Sequence, residues 1–416
     1  MAKTRREAPE PSVKPLRLFL IAGEHSGDAL GGKLIEALRN LSPRPLELGG
    51  VGGELMAAQG CPSLFPLTEL AVMSLLDVIP RLRNIWRRVR TTAEAARAFH
   101  PDVLVILDSP EFTHQVAKRV RRKDPSIPIV DYVSPSVWAW RPWRARSMRR
   151  YVDHILGILP FEPEVHRRLA GPLCSYVGHP LIEKLDWIDA LDAEPLRKRL
   201  GIAKGTPVLV VLPGSRSSEV KRLMAPFGEA LTLLAETSEP FEVVLPAVDS
   251  IRPLIEAGIR EWTIKPHLVS GEADRFASFK LARASLAASG TVTLELALAG
   301  TPMVVAYRAD ALAVRIRFLL IAHSVVLPNL ILGQNVFPEL LQDDCSGDKL
   351  AEALLPLMAA GRTREKQLEA VKRVRECVQD EGAPPSEQAA RIVLDYAERH
   401  EASAEPARLQ RSSMGT

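Results

Sequence analysis

Short, continuous apolar runs recur along the chain, and each ends at a glycine, a proline or a polar residue. Parallel strands that are buried on both faces have this pattern, because helices cover them on each side. In the first half the runs are Leu16–Ala22, Asp102–Leu107, Ile127–Tyr132 and His154–Leu159. A helix-like stretch, Ala29–Asn40, follows the first run after a glycine turn. The first half of the chain therefore predicts a parallel α/β domain.

A second set of apolar runs follows a charged stretch, residues 186–206, which has no strand character and predicts a linker. These runs are Pro207–Leu212, Phe241–Pro246, Leu281–Ser289 and Pro302–Tyr307. A chain of 416 residues also suits two domains better than one. We therefore predict an α/β protein with two Rossmann-like, doubly wound domains, 16–185 and 207–380, facing a cleft. Ligands would bind at the carboxyl ends of the strands.

The ends of the sequence are small and polar, so residues 1–15 and 402–416 are predicted to lack fixed structure. Residues 381–401 predict a C-terminal helix. One alternative is that this helix packs back against the first domain. The start contains no apolar signal-peptide core, and no apolar run approaches the roughly 20 residues that span a bilayer. The sequence thus predicts a cytoplasmic protein.

Charge is distributed unevenly along the chain. The formal net charge is +4, yet the segment Arg81–Arg150 holds sixteen Lys and Arg against six Asp and Glu. Such a segment suits anionic lipid, a phosphorylated substrate, nucleic acid or simply solvated helix faces. The four cysteines are far apart and form no metal-ligand spacing, so we expect reduced thiols and no metal site.

In the first domain, polar side chains follow two predicted strands. The turn after the first strand carries Glu24, Ser26 and Asp28, and Asp108 directly follows the second predicted strand. A carboxylate at a strand end can act as a general base toward a sugar hydroxyl. The alternative is that these side chains cap helix N-termini.

In the second domain, two turns follow strands and offer backbone N–H groups, hydroxyls and a guanidinium, which suit a diphosphate. Their residues are Gly214, Ser215, Arg216, Ser289, Gly290 and Thr291. One helical turn further on, Glu295 can accept hydrogen bonds from a ribose. The alternative for the first turn is a purely structural role. The alternative for the second is that Thr291 caps the helix and Glu295 lies on its solvated face.

Two further segments place polar or aromatic side chains in an unusual context. Asn329 and Gln334 lie beside a proline and a glycine in an apolar stretch, where amides suit uracil or substrate. Trp138, Trp140 and Arg141 mix large rings with a cation, which suits a lipid headgroup layer. Core packing is the alternative for the tryptophans.

Taken in order, these segments resemble the lipid-A-disaccharide synthase family over about 330 residues. The segments that carry the resemblance are AGEHSGD, ELAVMSLLDVIPRL, DSPEF, YVSPSVWAWR, LPFEPEV, VGHPL, PGSR, SGTVTLE and LPNLILGQN. YVSPSVWAWR is the most specific of them. Three positions depart from the family pattern, namely His25, Ser74 and Glu111.

The resemblance implies a GT-B glycosyltransferase that uses neither metal nor cofactor. It would join UDP-2,3-diacylglucosamine to 2,3-diacylglucosamine 1-phosphate with inversion, forming a β-1,6 linkage and releasing UDP. Asp108 matches the family's proposed base, with Glu24 nearby. The two second-domain turns, Glu295, Asn329 and Gln334 would hold the UDP donor. Ser26, Asp28 and the tryptophan segment would contact the acceptor or the membrane.

The same resemblance implies peripheral attachment to the inner membrane and leaves a homodimer as an alternative to a monomer. A rival interpretation is another GT-B UDP-sugar enzyme, such as an N-acetylglucosaminyltransferase or a nucleotide-sugar epimerase. A second rival is a nucleic-acid-binding protein that uses the basic segment. Against the second rival, the segment has no known nucleic-acid module and would leave the strand-end acids without a function.

Overall fold

The computed structural model describes residues 14–70, 78–309, 322–379 and 382–413, without the side chains of 78–82 and 403–413. Ser74 therefore lies outside the described residues, as do residues 1–13 of the predicted N-terminal extension. The chain divides into two compact units. The first contains residues up to Val137, Pro142–Pro180 and the chain from Gly382 onward, and the second contains Trp138–Arg141 and Leu181–Glu381.

The first unit contains a six-stranded sheet in which every neighbouring pair is parallel. Its strands are β1 (Leu16–Ala22), β2 (Leu46–Val51), β3 (Val103–Leu107), β4 (Ile129–Tyr132), β5 (His154–Gly157) and β6 (Leu173–Tyr176). Their order is β2-β1-β3-β4-β5-β6, so the winding direction reverses between β1 and β3. Crevices at such reversal points are where open α/β sheets bind ligands.

Helices connect these strands. They are α1 (His25–Leu41), α2 (Glu54–Ala58), α3 (Val78–Phe99), α4 (Thr113–Lys123), α5 (Trp143–Met148) and α6 (Glu162–Arg168). In α1 the apolar side chains of Leu34, Ile35 and Leu38 recur at helical spacing and are fully buried. They pack in one core with alternate residues of β1, Leu18 and Leu20. Alternation along the strand thus decides which side chains meet this helix.

The second unit repeats the architecture with a sheet of order β12-β11-β10-β7-β8-β9. Its strands are β7 (Val208–Leu212), β8 (Glu242–Pro246), β9 (His267–Val269), β10 (Ala284–Ala288), β11 (Met303–Tyr307) and β12 (Glu339–Leu341). Its helices are α7 (Leu185–Ala190), α8 (Glu194–Arg199), α9 (Ser217–Thr237), α10 (Arg252–Gly258), α11 (Glu272–Leu281), α12 (Val292–Leu298), α13 (Leu327–Leu332), α14 (Gly347–Met358) and α15 (Arg362–Val378).

Both faces of the second sheet are covered by helices. Leu209 and Val211 of β7 lie in one apolar core together with residues of α9 and α14. The intervening residues, Val208, Val210 and Leu212, lie in a second core with residues of α12 and α15. A strand that is buried on both sides needs an uninterrupted apolar run, which is what PVLVVL provides. The prediction of two doubly wound parallel sheets is confirmed.

The stretch 186–206, interpreted from the sequence as a linker, is folded as part of the second unit. It contains most of α7 and all of α8, and Ile188 and Leu196 are buried in the core of the second unit. Lys280 also donates to the carbonyl oxygen atoms of Ile188, Asp189 and Leu191, which end α7. The high charge of this stretch belongs to the solvent-facing sides of two short helices, so the linker prediction is corrected.

The last helix, α16 (Pro385–Ser413), belongs to the first unit. Ala389, Ala390, Val393 and Ala397 are buried and share a core with α1 and the first sheet. The helix continues to Ser413, further than the end at residue 401 that the sequence indicated. Between residues 402 and 413 the Ala, Glu, Arg, Leu and Gln residues favour a helix by their propensity, whereas Pro406 disfavours one.

Candidate active site

Asp108 lies at the reversal point of the first sheet. The backbone register pairs Ala22 with Leu107, so the chain leaves β1 and β3 side by side. Ser26, in the first turn of α1, donates its hydroxyl hydrogen to Oδ2 of Asp108 at 2.6 Å. The structure thus brings together two side chains that are 82 positions apart in the sequence. The half-buried carboxylate lies at the edge where the sequence analysis placed a base.

The backbone around Asp108 is strained. Asp108 and Ser109 have φ angles of 53° and 45°, which side-chain-bearing residues rarely adopt. The hydroxyl of Thr113 holds this turn by donating to the carbonyl oxygen of Asp108 at 2.7 Å. Gly23 makes room for it, because a Cβ atom at that position would lie 2.5 Å from the Cβ of Ser109. Gly23, the first glycine of AGEHSGD, therefore permits the turn that presents Asp108.

The two acids of the AGEHSGD turn, Glu24 and Asp28, lie in contrasting environments. Glu24 precedes α1 and its side chain is exposed. Asp28 is buried, and its carboxylate accepts hydrogen bonds from the backbone N–H groups of Gly53, Leu55 and Met56 at 2.7 to 3.1 Å. Asp28 was predicted to contact acceptor or membrane, but its carboxylate instead caps the start of α2. That prediction is corrected.

A buried polar group that the sequence analysis missed lies behind the turn. Asp131 in β4 is fully buried, and its Oδ2 lies 3.2 Å from Nε2 of His114 in α4. Nδ1 of His114 lies 3.1 Å from the hydroxyl of Tyr151. Burial raises the pKa of Asp131, and the negative charge of Asp108 raises it further. His114 is thus the buried partner of a carboxylate near the candidate base.

In the second unit, the predicted UDP-binding turns follow β7 and β10, the two strands between which the winding reverses. Ser215 and Arg216 are exposed after β7. Their backbone N–H groups, however, donate to Oε2 of Glu219 at 3.2 and 3.3 Å, and the Arg216 guanidinium donates to Oε1 at 2.9 Å. Gly214, with φ 113°, lies too close to this carboxylate to admit a Cβ atom. Glu219 was not anticipated from the sequence.

After β10, Ser289, Gly290 and Thr291 form the turn into α12. Gly290 and Thr291 are exposed, whereas the Ser289 hydroxyl donates to the carbonyl oxygen of Val325 at 2.7 Å. Glu295 is buried, and its Oε1 lies 3.3 Å from the Arg275 guanidinium. Its Oε2 has no hydrogen-bond partner among the described residues. Burial raises the pKa of Glu295, and the charge of Arg275 opposes that shift.

Asn329 and Gln334 differ in what their amides do. The Asn329 amide nitrogen donates to the carbonyl oxygen of Phe337 and to Glu339, and its oxygen accepts from the backbone N–H groups of Val336 and Phe337. Asn329 is fully buried and has no hydrogen-bonding group left for UDP, so its predicted role is corrected. Gln334 is exposed and no described side-chain hydrogen bond engages it.

The tryptophan segment is only partly accessible. Trp138, Trp140 and Arg141 are each half-buried, and the Arg141 guanidinium lies 3.8 Å from the centre of the Trp140 ring. More exposed rings lie in the first unit, on Trp86 of α3 and Trp143 of α5. The most accessible tryptophans are therefore not those of the WAWR segment.

No group of three or more His, Cys, Asp or Glu side chains in the described ranges is arranged to hold a metal ion. Among the helices of those same ranges, none combines the length and the apolar character that a bilayer crossing needs.

Two parallel sheets with polar turns at both reversal points define a GT-B type α/β protein. Solved structures share this fold at low sequence identity. A UDP-GlcNAc 2-epimerase from Neisseria meningitidis bound to UDP-GlcNAc is 13% identical, with a TM-score of 0.57 over 87% of this chain and 99% of that one. MurG from Acinetobacter baumannii is 11% identical, with a TM-score of 0.56 over 92% of this chain and 100% of its own.

The chain belongs to the lipid-A-disaccharide synthase family. The family model described as Lipid-A-disaccharide synthetase (LpxB) matches residues 18–393. The lipid-A-disaccharide synthase of Rhodopseudomonas palustris strain HaA2 is 50% identical over 92% of this chain and 97% of its own length. That of Rhodospirillum centenum is 42% identical over 92% and 95%. The rival enzymes share the fold, whereas these relatives share the sequence.

Proposed function

We propose that this protein transfers the diacylglucosaminyl group of UDP-2,3-diacylglucosamine to 2,3-diacylglucosamine 1-phosphate. The product is the β-1,6-linked disaccharide 1-phosphate, and UDP is released. Membership of the lipid-A-disaccharide synthase family supports this reaction. The observation in the structure that carries it is the carboxylate of Asp108, presented by a strained turn at the reversal point of the first sheet.

In this proposal Asp108 acts as the general base. The 6-hydroxyl oxygen of the acceptor attacks the anomeric carbon of the donor from the side opposite UDP, and the bond between that carbon and UDP breaks. The hydroxyl proton moves to Asp108, while UDP leaves with the bonding electron pair. Ser26 fixes the carboxylate through Oδ2, which orients it before the substrate arrives. Glu24 is the second acid proposed for this site.

The second unit would bind the donor. The turns after β7 and β10 adjoin each other at the reversal point, because Leu212 and Ala287 are paired in register. Arg216 is 78% exposed, so its guanidinium can turn from Glu219 to a diphosphate. Oε2 of the buried Glu295, which has no hydrogen-bond partner in the described part of the chain, suits a ribose hydroxyl. Exposed Gln334 and the 289–291 turn complete the proposed set.

A direct assay tests this function. Purified protein is incubated with UDP-2,3-diacylglucosamine and 2,3-diacylglucosamine 1-phosphate in detergent, and disaccharide 1-phosphate and UDP are quantified. We expect both products in equal amounts. Transfer confined to water-soluble acceptors, or epimerisation of the donor without transfer, would instead support the rival UDP-sugar enzymes.

Arg216→Ala is expected to weaken UDP binding by about tenfold or more, since a charge-assisted hydrogen bond to phosphate is lost. Titration calorimetry with UDP measures the effect. Arg197→Ala is a matched control, because Arg197 also pairs with a glutamate three residues away in the same unit. Unchanged UDP affinity in Arg216→Ala would remove Arg216 from the donor site.

Membrane attachment is proposed for the exposed tryptophans of the first unit. Trp86 is 50% exposed, with the Arg119 guanidinium 4.8 Å from its ring centre, and Trp143 is 58% exposed. Trp143 also borders a cavity of about 490 Å³ lined by Arg146, Ser147, Arg149 and Arg150. Rings beside cations suit the headgroup layer of an anionic bilayer. Location at the cytoplasmic face of the inner membrane and pairing of two copies stay predictions.

The double variant Trp86→Ala/Trp143→Ala should lower affinity for phosphatidylglycerol vesicles by about tenfold, because two apolar rings no longer enter the interface. Vesicle co-sedimentation measures the change. Trp187→Ala provides the control, since Trp187 is an exposed ring of the second unit. Equal vesicle binding by the double variant and the wild-type protein would contradict the assignment.

A further inference from the structure

The guanidinium of Arg144 reaches the loop that presents the candidate base. Arg144 is the second residue of α5, and its Nη1 donates to Oε1 of Glu111 at 3.1 Å. Glu111 follows Asp108 by three residues in the same loop. The side chain of Arg144 is only 21% exposed, whereas that of Glu111 is 75% exposed. A partly buried cation is thus paired with an acid that solvent already surrounds.

A second cation, Lys118 of α4, is near enough to Arg144 for the two charges to interact. Nζ of Lys118 in α4 lies 5.0 Å from the centre of the Tyr151 ring. Burial lowers the pKa of Lys118, the positive charges of Arg144 and Arg122 lower it further, and Glu111 alone opposes them. Arg144 also acts on the buried Asp131, whose raised pKa its charge partly offsets. Glu111 is therefore the exposed acid of this cluster, and a group of higher negative charge arriving from solvent would be a better partner for the two cations.

We infer that Arg144, supported by Lys118, binds the phosphate of the acceptor sugar, an inference that rests on the proposed function. The acceptor carries its reactive hydroxyl and its phosphate on one hexose ring, so the phosphate must bind within one sugar of Asp108. Three residues of chain span at most about 10 Å between Cα atoms, so the backbone of Glu111, which Arg144 contacts, stays close to that of Asp108.

The chemistry of the two partners favours this exchange. A phosphate monoester carries a charge of about −1.5 to −2 and offers three acceptor oxygens, and a guanidinium binds it in a two-pronged manner. Glu111, the acid of this ion pair, is already largely surrounded by solvent, so phosphate can replace its carboxylate at low cost. The phosphate of a lipid headgroup has the same chemistry, but the loop beside Asp108 favours the substrate as its source.

The test is steady-state kinetics of Arg144→Ala with phosphorylated and dephosphorylated 2,3-diacylglucosamine acceptors. The KM for the phosphorylated acceptor should rise by about tenfold to a hundredfold, with the KM for the UDP-sugar unchanged. The preference for the phosphorylated acceptor should disappear, and Arg144→Lys should retain part of it. Arg167→Ala is the matched control, because Arg167 is an exposed arginine paired with Glu164 in the same unit.

Two further measurements separate this role from its alternatives. Glu111→Gln should leave the acceptor KM unchanged or lower it, because a competing carboxylate is removed. If Glu111→Gln instead reproduces Arg144→Ala, the ion pair only shapes the loop and the inference fails. It also fails if Arg144→Ala slows both acceptors equally and loses phosphatidylglycerol vesicle binding, since the ligand is then a headgroup.

The activity of the wild-type protein distinguishes failure of the proposed function from failure of the phosphate-binding role. If the wild-type protein forms no disaccharide, the proposed function itself is wrong. If it forms disaccharide while Arg144→Ala still prefers the phosphorylated acceptor as strongly, only the phosphate-binding role is overturned.

Discussion

Asp108→Ala is expected to reduce turnover by about a hundredfold or more while UDP binding and folding stay intact. The reason is that general-base catalysis typically contributes a factor of about 10² to 10⁴, and the carboxylate lies at a solvent-accessible edge rather than in the core. Disaccharide formation at saturating donor and acceptor measures turnover. Calorimetry with UDP and thermal unfolding measure the two properties that should persist.

Two companion variants sharpen the Asp108 result. Asp108→Asn keeps a side chain that tolerates the positive φ of this turn, so its loss of activity cannot come from the backbone. Glu164→Ala removes an exposed carboxylate of α6 in the same unit and should retain full turnover. Turnover near the wild-type value in Asp108→Asn would exclude a general-base role for this residue.

His114→Ala is expected to destabilise the protein by about 1–3 kcal/mol or more, the usual cost of leaving a buried polar group without its partner. Asp131 would then be a fully buried carboxylate whose charge Arg144 offsets in part. Urea unfolding of the full chain, monitored through its first unit, measures the loss. The double variant His114→Ala/Asp131→Asn should recover part of it, because the unpaired charge is gone.

The destabilisation should depend on pH with a definite sign. The pKa of Asp131 is raised in the folded protein above its ordinary value of 3.8, so the folded state binds this proton more tightly than the unfolded state. The contribution of Asp131 to stability therefore falls as pH rises from 3.8 through the raised pKa. His114→Ala should deepen that fall. A loss that is equal at acidic and alkaline pH, and that the double variant does not reduce, would mean that His114 only fills space.

The eight strands predicted from apolar runs are the eight interior strands of the two sheets. The four strands that the sequence analysis missed, β2, β6, β9 and β12, are the four sheet edges. An edge strand has a neighbour on one side only, and these are short or partly exposed. β9 and β12 have three residues each, and β6 reads LCSY with an exposed leucine. Without burial on both faces, no continuous apolar run is needed.

The candidate site was predictable where function requires a polar group at a strand end. Asp108 and the turns after β7 and β10 were located because a carboxylate or a small-residue turn interrupts an apolar pattern there. Their partners were not predictable. Glu219 and His114 lie on helices at spacings that also suit ordinary surface or core residues, and only the folded chain shows that they contact Ser215 and Asp131.

Asp28 and Asn329 show why a motif residue need not touch the substrate. Both lie within segments that identify the family, yet each uses its side chain to satisfy backbone groups of a neighbouring segment. A buried N–H group without an acceptor is costly, so a carboxylate or an amide at such a position is constrained by the fold alone. Sequence pattern cannot distinguish that constraint from one imposed by a ligand.

The placement of α16 determines the order in which the molecule can be completed during synthesis. The first unit's core joins β1, near the start of the chain, to Val393 and Ala397 of α16. Every residue of the second unit from Leu181 to Glu381 is made between them. A nascent chain on the ribosome can therefore finish the second sheet and its cores while one side of the first still has an open apolar groove. The first unit, whose synthesis begins first, is therefore the last to complete its core.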